Sequence, residues 1–378
     1  MSRTRTIVTR PGCGRRRAWA SLAAVRRLLL AVSLTLLPGL ARAGSKGLTE
    51  VPGVKVGHFT LSEKPTGCTA VLTEYGATAG VDVRGGAPGT RETDLLEPRN
   101  SVSVVHAIVL SGGSAFGLEA ATGVVRWLEE RGHGYDVGVA RVPIVPAAIL
   151  FDLPLAGKPS VRPGADCGYR AAAAASDGPV AEGNVGAGAG ATVGKLLGPG
   201  RAMKAGIGSV AIAMPDGLVV GALVAVNAVG DVIDPASGKV VAGVRTEDGK
   251  GLADARVLLR SGSTAARRPG AGITNTTLGV VATNVALTKA QAQKVAQMAH
   301  DGLARALSPV HTPRDGDTVF ALATARLDVA TDDARLTLIG ALAAEAIADA
   351  IVRAALQSSG LPELGLPAAR DLAPNGSR

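Results

Sequence analysis

The sequence predicts a layered α/β fold, with helices packed over sheet, and three stretches carry that prediction. Residues 207–213 and 218–226 alternate as strands do and are joined by Met214-Pro215-Asp216-Gly217, a hairpin turn. Residues 102–110 form an apolar run of buried-strand character that passes through Ser111-Gly112-Gly113-Ser114 into a helical pattern over 115–130. Residues 276–284 form a β-branched strand, and Thr288 then caps a helix running to about Leu307.

Taken in order, residues 1–43 read as an export signal rather than as part of the fold. A basic stretch precedes the apolar run 28–37, and Ala41-Arg42-Ala43 supplies a small-x-small cleavage site. The run is too short for an ordinary membrane span, so an exported, periplasmic or secreted protein is expected. That leader holds nine arginines and no carboxylate. Without them the 40 basic residues of the whole chain fall to 31 and match the 31 acidic ones, so the formal charge of +9 belongs to the leader. A neutral remainder with 2% aromatic residues and no basic cluster argues against nucleic-acid binding.

Residues 44–56 read as an entry arm, and 68–75 and 81–83 as strands. Gly85-Gly86-Ala87-Pro88-Gly89 is a loop by its glycines and proline. Ser114 is placed to cap the helix that follows it and Gly132 to end it. A strand, glycine turn and helix in succession also aim backbone N–H groups at whatever lies above the helix start. Prolines break up 142–163, and 171–175 is a short alanine-rich turn of helix. Residues 183–195 invite a phosphate-loop reading that fails in detail. Ala189 stands where a glycine is needed, and Leu196 where a hydroxyl should hold magnesium. The flexible backbone is better read as bringing Lys195 close to another segment. Residues 238–270 read as a mobile polar loop, 318–324 as a strand, 333–356 as a long helix and 358–378 as a disordered tail. His58, His106, His133, His300 and His311 are scattered without ligand spacing, so neither metal nor cofactor is expected.

The chemistry centres on Asn275-Thr276-Thr277. A threonine opening a buried strand can be plain architecture, or it can be a nucleophile that needs a base. Cutting the Asn275–Thr276 bond would give Thr276 its own base, since an α-amine has a pKa of roughly 7.7–8.0. Strand alternation turns Thr277 to the other face and makes it the weaker candidate.

These residues, with Val280-Val281-Ala282-Thr283-Asn284, resemble the self-cleavage site of the DmpA-type aminopeptidases and nylon-oligomer hydrolases. Further matching stretches are Val56-Gly57-His58, Thr66-Gly67-Cys68-Thr69, residues 85–92, residues 110–117 and Asp315-Gly316-Asp317-Thr318, all in the family's order. The resemblance implies an αββα sandwich cut into an α subunit, 44–275, and a β subunit, 276–357, that stay folded together as one unit of a homo-oligomer. It implies an enzyme whose substrates are small peptides or peptide-like amides. The matching positions give Thr276 as nucleophile, Lys195 and Asn227 as its partners and Asp315 and Asp317 as an acidic pair. Ser111, Gly112, Gly113 and Ser114 would line the substrate pocket. Cys68 lies in a family stretch, which favours a buried free thiol over a bond with Cys167. Two other readings remain open on sequence. One is an ornithine acetyltransferase-like acyl transferase, although the surroundings of Thr276 differ from that family's; the other is a binding protein that keeps the fold.

Overall fold

The computed structural model describes residues 46–263 and 275–372. Nine strands form the main sheet: β1 (Lys55–Thr60), β2 (Gly67–Val83), β3 (Thr90–Arg91), β4 (Val105–Ser111), β5 (Ala147–Ile149), β6 (Ile207–Ala213), β7 (Val219–Asn227), β8 (Thr276–Val285) and β9 (Thr318–Leu327). Their order is β6-β7-β8-β9-β2-β4-β5-β3, with β1 paired to β2. β8 and β9 run parallel, as do β4 and β5, and the other pairs are antiparallel. The 17-residue β2 is shared by both ends of this sheet. The sequence divides it in two because Gly76 and Gly80 lower strand propensity there. In the fold Gly76 takes the left-handed φ of 88°, and the pairing with β4 shifts register between Leu72 and Ala77.

Alternation along the strands builds three apolar cores. Val281 and Val285 of β8, with Val319 and Ala321 of β9, pack against helices α3 (Lys289–Ala306) and α4 (Asp333–Gln357). The opposite faces, Leu278, Val280, Phe320 and Leu322, share a core with Val71, Ile108, Leu110 and Ala148 of β2, β4 and β5. The remaining faces of those strands, Ala70, Leu72, Ala107 and Val109, meet α1 (Ala120–Glu129) and α2 (Ala165–Ala173). Strands from both sides of residue 275 interleave in the sheet: β8 lies between β7 and β9, and β9 between β8 and β2. A cut before β8 would therefore leave both pieces hydrogen-bonded to each other.

Several expectations are corrected. Cys68 and Cys167 form a disulfide that joins β2 to α2, with Cα atoms 6.2 Å apart; the free thiol expected of Cys68 is not present. Spacing in sequence could not show that the two meet. The bridge closes a loop 99 residues long, so its reduction should lower unfolding stability by about 2–4 kcal/mol. Urea midpoints with and without reductant would measure this, and equal midpoints would contradict it. Residues 358–372 are ordered rather than disordered: Leu366 and Ala368 are buried, and the Pro367 carbonyl accepts the Lys204 N–H at 2.8 Å. The stretch read as a mobile loop from 238 carries a strand, Val240–Ala242, and a helical turn, Ala255–Arg260, capped by Asp254. Ser114 does not cap α1. It has a φ of 56° and opens a 3-10 turn, Ser114–Glu119, ahead of the helix, with no side-chain cap. By contrast, Thr288 caps α3 as expected, and Gln291 completes a capping box with it. The leader, residues 264–274 and residues 373–378 lie outside the described residues.

Candidate active site

Thr276 opens β8 opposite Asn227, the last residue of β7, so the ladder itself brings these two expected residues together. Asn275, just before the strand, bridges to Asp315 in parallel pairing. The Thr276 hydroxyl donates to the Asn275 carbonyl oxygen at 2.5 Å, and the Gly316 N–H donates to the same oxygen at 3.2 Å. A Cβ on Gly316 would lie 2.7 Å from the Thr276 Oγ1, so the acidic turn needs glycine there to approach the hydroxyl. Thr276 and Asn275 are both buried. Thr277 is turned to the other face, as alternation predicts; its N–H donates to Asp317 Oδ1 at 2.6 Å.

Asp315 and Asp317 are held by their own loop and by the glycine loop before β3. The Asp315 Oδ2 accepts the Thr312 N–H at 2.6 Å, and the Ala87 N–H donates to the Asp315 carbonyl at 2.8 Å. The Arg84 N–H donates to the Asp317 carbonyl at 3.0 Å. The Asp315 Oδ1 is buried with no hydrogen-bond partner. Burial, followed by the nearby Asp317 charge, raises the Asp315 pKa above the usual carboxylate range.

Lys195 reaches the site as its glycine-rich approach predicts. The Gly194 and Lys195 N–H groups donate to the carbonyls of Gly230 and Val229, both at 2.9 Å. A Cβ on Gly194 would lie 2.0 Å from the Gly243 carbonyl carbon, so that close approach requires glycine. Part of the Lys195 side chain reaches solvent, yet its ammonium is enclosed and donates to Asn227 Oδ1 at 2.7 Å and to the Asn227 carbonyl at 3.1 Å. Desolvation lowers its pKa to about 7 against the opposing pull of Asp315, Asp152 and Asp317. Near neutrality it can therefore both give and take a proton. The Asn227 Oδ1 also accepts from the Thr192 N–H and hydroxyl, at 3.1 and 3.3 Å, and its Nδ2 donates to the Phe151 carbonyl at 3.2 Å.

The backbone donors of the Ser111–Ser114 turn have partners within the protein. The Gly112, Gly113 and Ser114 N–H groups donate to the Gly67 carbonyl, Asp152 Oδ1 and the Leu150 carbonyl. The Ser111 hydroxyl is buried on the Gly112 carbonyl at 3.2 Å. These donors are already engaged within the protein, so the turn offers shape rather than an anion hole.

Sequence reasoning also missed His311. Its N–H and Nδ1 lie 3.0 and 2.9 Å from Asp317 Oδ2, and its ring meets that of His300 edge-on at 4.8 Å. Only its position six residues before Asp317 could have signalled this. The His300 Nε2 contacts the Asp82 carbonyl at 2.9 Å, and burial lowers its pKa to about 4. Below pH 6.5 an unfolded chain gains a proton at this histidine that the folded one refuses, so stability falls between pH 6.5 and about 4. The expected slope from this group is up to about 1.4 kcal/mol per pH unit. His300→Gln should flatten the pH dependence of the urea midpoint in that window; an unchanged slope would refute the assignment.

The class of protein follows from comparison with known chains: this is a hydrolase of peptide or amide bonds. It belongs to peptidase family S58, whose model matches residues 46–364. It is 43% identical over 352 residues to an uncharacterized aminopeptidase of Mycobacterium tuberculosis, spanning 86% of this chain and 98% of the relative. It is 32% identical over 329 residues to a 6-aminohexanoate-oligomer endohydrolase of Kocuria, spanning 81% and 85%. In fold it is similar to a β-aminopeptidase of Burkholderia, with a TM-score of 0.63 at 23% identity over 87% of this chain and 92% of that one. The L-aminopeptidase D-Ala-esterase/amidase of Ochrobactrum anthropi, described as a variant of the Ntn hydrolase fold, gives a TM-score of 0.63 at 21% identity over 86% and 90%.

Proposed function

We propose that this protein is an exported, self-processing hydrolase. It cuts its own Asn275–Thr276 bond and then uses Thr276 as an N-terminal nucleophile on amides of small peptides or peptide-like oligomers. The observation that carries this reading is the Asn275 carbonyl, which receives both the Thr276 hydroxyl and the Gly316 N–H. For self-cleavage, Thr276 Oγ1 attacks the Asn275 carbonyl carbon and the Gly316 N–H faces the oxygen on which charge develops. The C–N bond breaks, the Thr276 nitrogen gains a proton and becomes the amine, and an ester remains. Water then opens the ester to the Asn275 carboxylate and a free Thr276 hydroxyl. This reading gives these protons to Asp315, with its raised pKa, and to Lys195, near 7.

After the cut, the Thr276 α-amine takes the proton of its own hydroxyl and returns it to the leaving amine of a substrate. The unpartnered Asp315 Oδ1 supplies an acceptor for the new ammonium. Lys195 fixes the Asn227 amide through its oxygen, and the Asn227 Nδ2, which also donates to the Phe151 carbonyl at 3.2 Å, is the oxyanion donor in this reading. The Ser111–Ser114 turn shapes the pocket wall.

The three cores support a four-layer αββα arrangement, and the interleaved strands support two subunits that stay together after the cut; assembly of such units into a homo-oligomer is what the family resemblance implies. The arginine-rich leader and the Cys68–Cys167 disulfide support export, since disulfides persist in oxidising compartments. The names of the relatives set the substrate panel: L-aminoacyl amides, β-aminoacyl amides and 6-aminohexanoate oligomers. Turnover of at least one by the cut protein is expected; a cut protein inert on every amide in the panel would refute the substrate class.

A further inference from the structure

Asp152 follows β5 and is buried, yet nothing in the reaction described above uses it. Its Oδ1 accepts the Gly113 N–H at 2.7 Å, and its Oδ2 accepts the Thr66 hydroxyl at 2.6 Å. A Cβ on Gly112 or on Gly190 would lie 2.3 or 2.5 Å from that Oδ2, so the pocket turn and the glycine-rich segment before Lys195 both close on this carboxylate. The residue before it, Phe151, offers its carbonyl to the Asn227 Nδ2. Two consecutive residues thus join the pocket turn to the Asn227–Lys195 pair.

The charges around Asp152 are arranged to match. Lys64, Lys195 and Lys204 all feel its negative charge. Lys64 donates to the Leu153 carbonyl at 2.9 Å. Lys204 is fully buried on the carbonyls of Gly188, Ala191 and Ala205, which brace the same glycine-rich segment. Burial raises the Asp152 pKa, and the Thr66, Gly113 and Lys64 contacts pull it back down.

We propose that Asp152 is a positioning residue for catalysis: its carboxylate fixes the Gly112-Gly113 turn to Thr66, and its charge sets the electrostatic field at Lys195. This deepens the threonine-nucleophile reading and rests on it. A purely structural carboxylate would hold the turn without influencing Lys195.

Asp152→Asn separates the two roles, because it keeps the shape, its Oδ1 can still accept the Gly113 N–H and its Nδ2 can donate to the Thr66 hydroxyl in place of accepting from it, while the charge is removed. The charges of Asp315, Asp152 and Asp317 all favour the Lys195 ammonium. Losing one of these three charges should move the inflection near pH 7 in the kcat/KM profile down by about one unit. Thr66→Val is the companion variant, since it keeps the charge and removes one contact. It should raise KM about tenfold, as for one lost hydrogen bond to a charged group, with the inflection unmoved. An Asp152→Asn enzyme that cuts itself and turns over with a wild-type inflection overturns the proposal. Should Asp152→Asn fail to fold, a wild-type KM in Thr66→Val overturns it instead. Neither result touches the nucleophile, whose failure would show separately as a Thr276→Ala chain that is still cut.

Discussion

Replacing Thr276 with Ala should lower amide hydrolysis by about 10⁴–10⁶-fold, the scale on which loss of a nucleophile acts. The variant loses two groups at once. It has no hydroxyl to attack the Asn275 carbonyl, so no amine is released, and it has no hydroxyl to attack substrate. Packing should suffer little, because β8 is held on both sides by β7 and β9 and the position stays buried. Thr276→Ser provides the contrast. It keeps hydroxyl and amine chemistry but loses the β-methyl that restricts χ1, so it should still mature and turn over, more slowly. Initial rates on the best amide of the panel would measure both variants. A Thr276→Ala enzyme within tenfold of wild type would remove Thr276 from the mechanism.

Lys195→Met should lower turnover by about 10²–10⁴-fold, the usual weight of a proton-transfer group. The substitution preserves most of the stem and removes the ammonium that donates to the Asn227 Oδ1 and carbonyl. The Asn227 amide then loses its strongest orienting contact, and the site loses the group whose pKa lies near 7. The pH–rate profile should lose its inflection near pH 7 as well as its height. A profile that falls uniformly and keeps that inflection would assign the titration to the Thr276 α-amine instead.

Much of this site is readable in the sequence because its parts are local. The β-branched run after Asn275 predicts the strand, Thr288 predicts the helix cap, and the glycines before Lys195 predict its close approach. Other features depend on residues distant in sequence. Cys68 and Cys167 meet only because α2 packs on β2. His311 sits in an irregular loop, and its tie to Asp317 depends on the turn between them. Asp152 is a lone acid in an apolar stretch, where periodicity carries no signal, and its importance follows from Thr66 and Gly113, which are 86 and 39 residues away. The Ser111–Ser114 turn fits its motif, but the partners of its N–H groups could be known only once β5 and the Gly67 carbonyl were in place.

The most direct test of the central claim is the intact mass of purified wild-type protein and of Thr276→Ala under denaturing, reducing conditions. The account predicts two fragments from the wild type, the second beginning at Thr276 and the first ending in an Asn275 carboxylate, and one uncut chain from the variant. A single wild-type chain would contradict it. So would a first fragment lighter by one water, the mass of a C-terminal succinimide, which would mean that the Asn275 side-chain nitrogen attacked its own carbonyl.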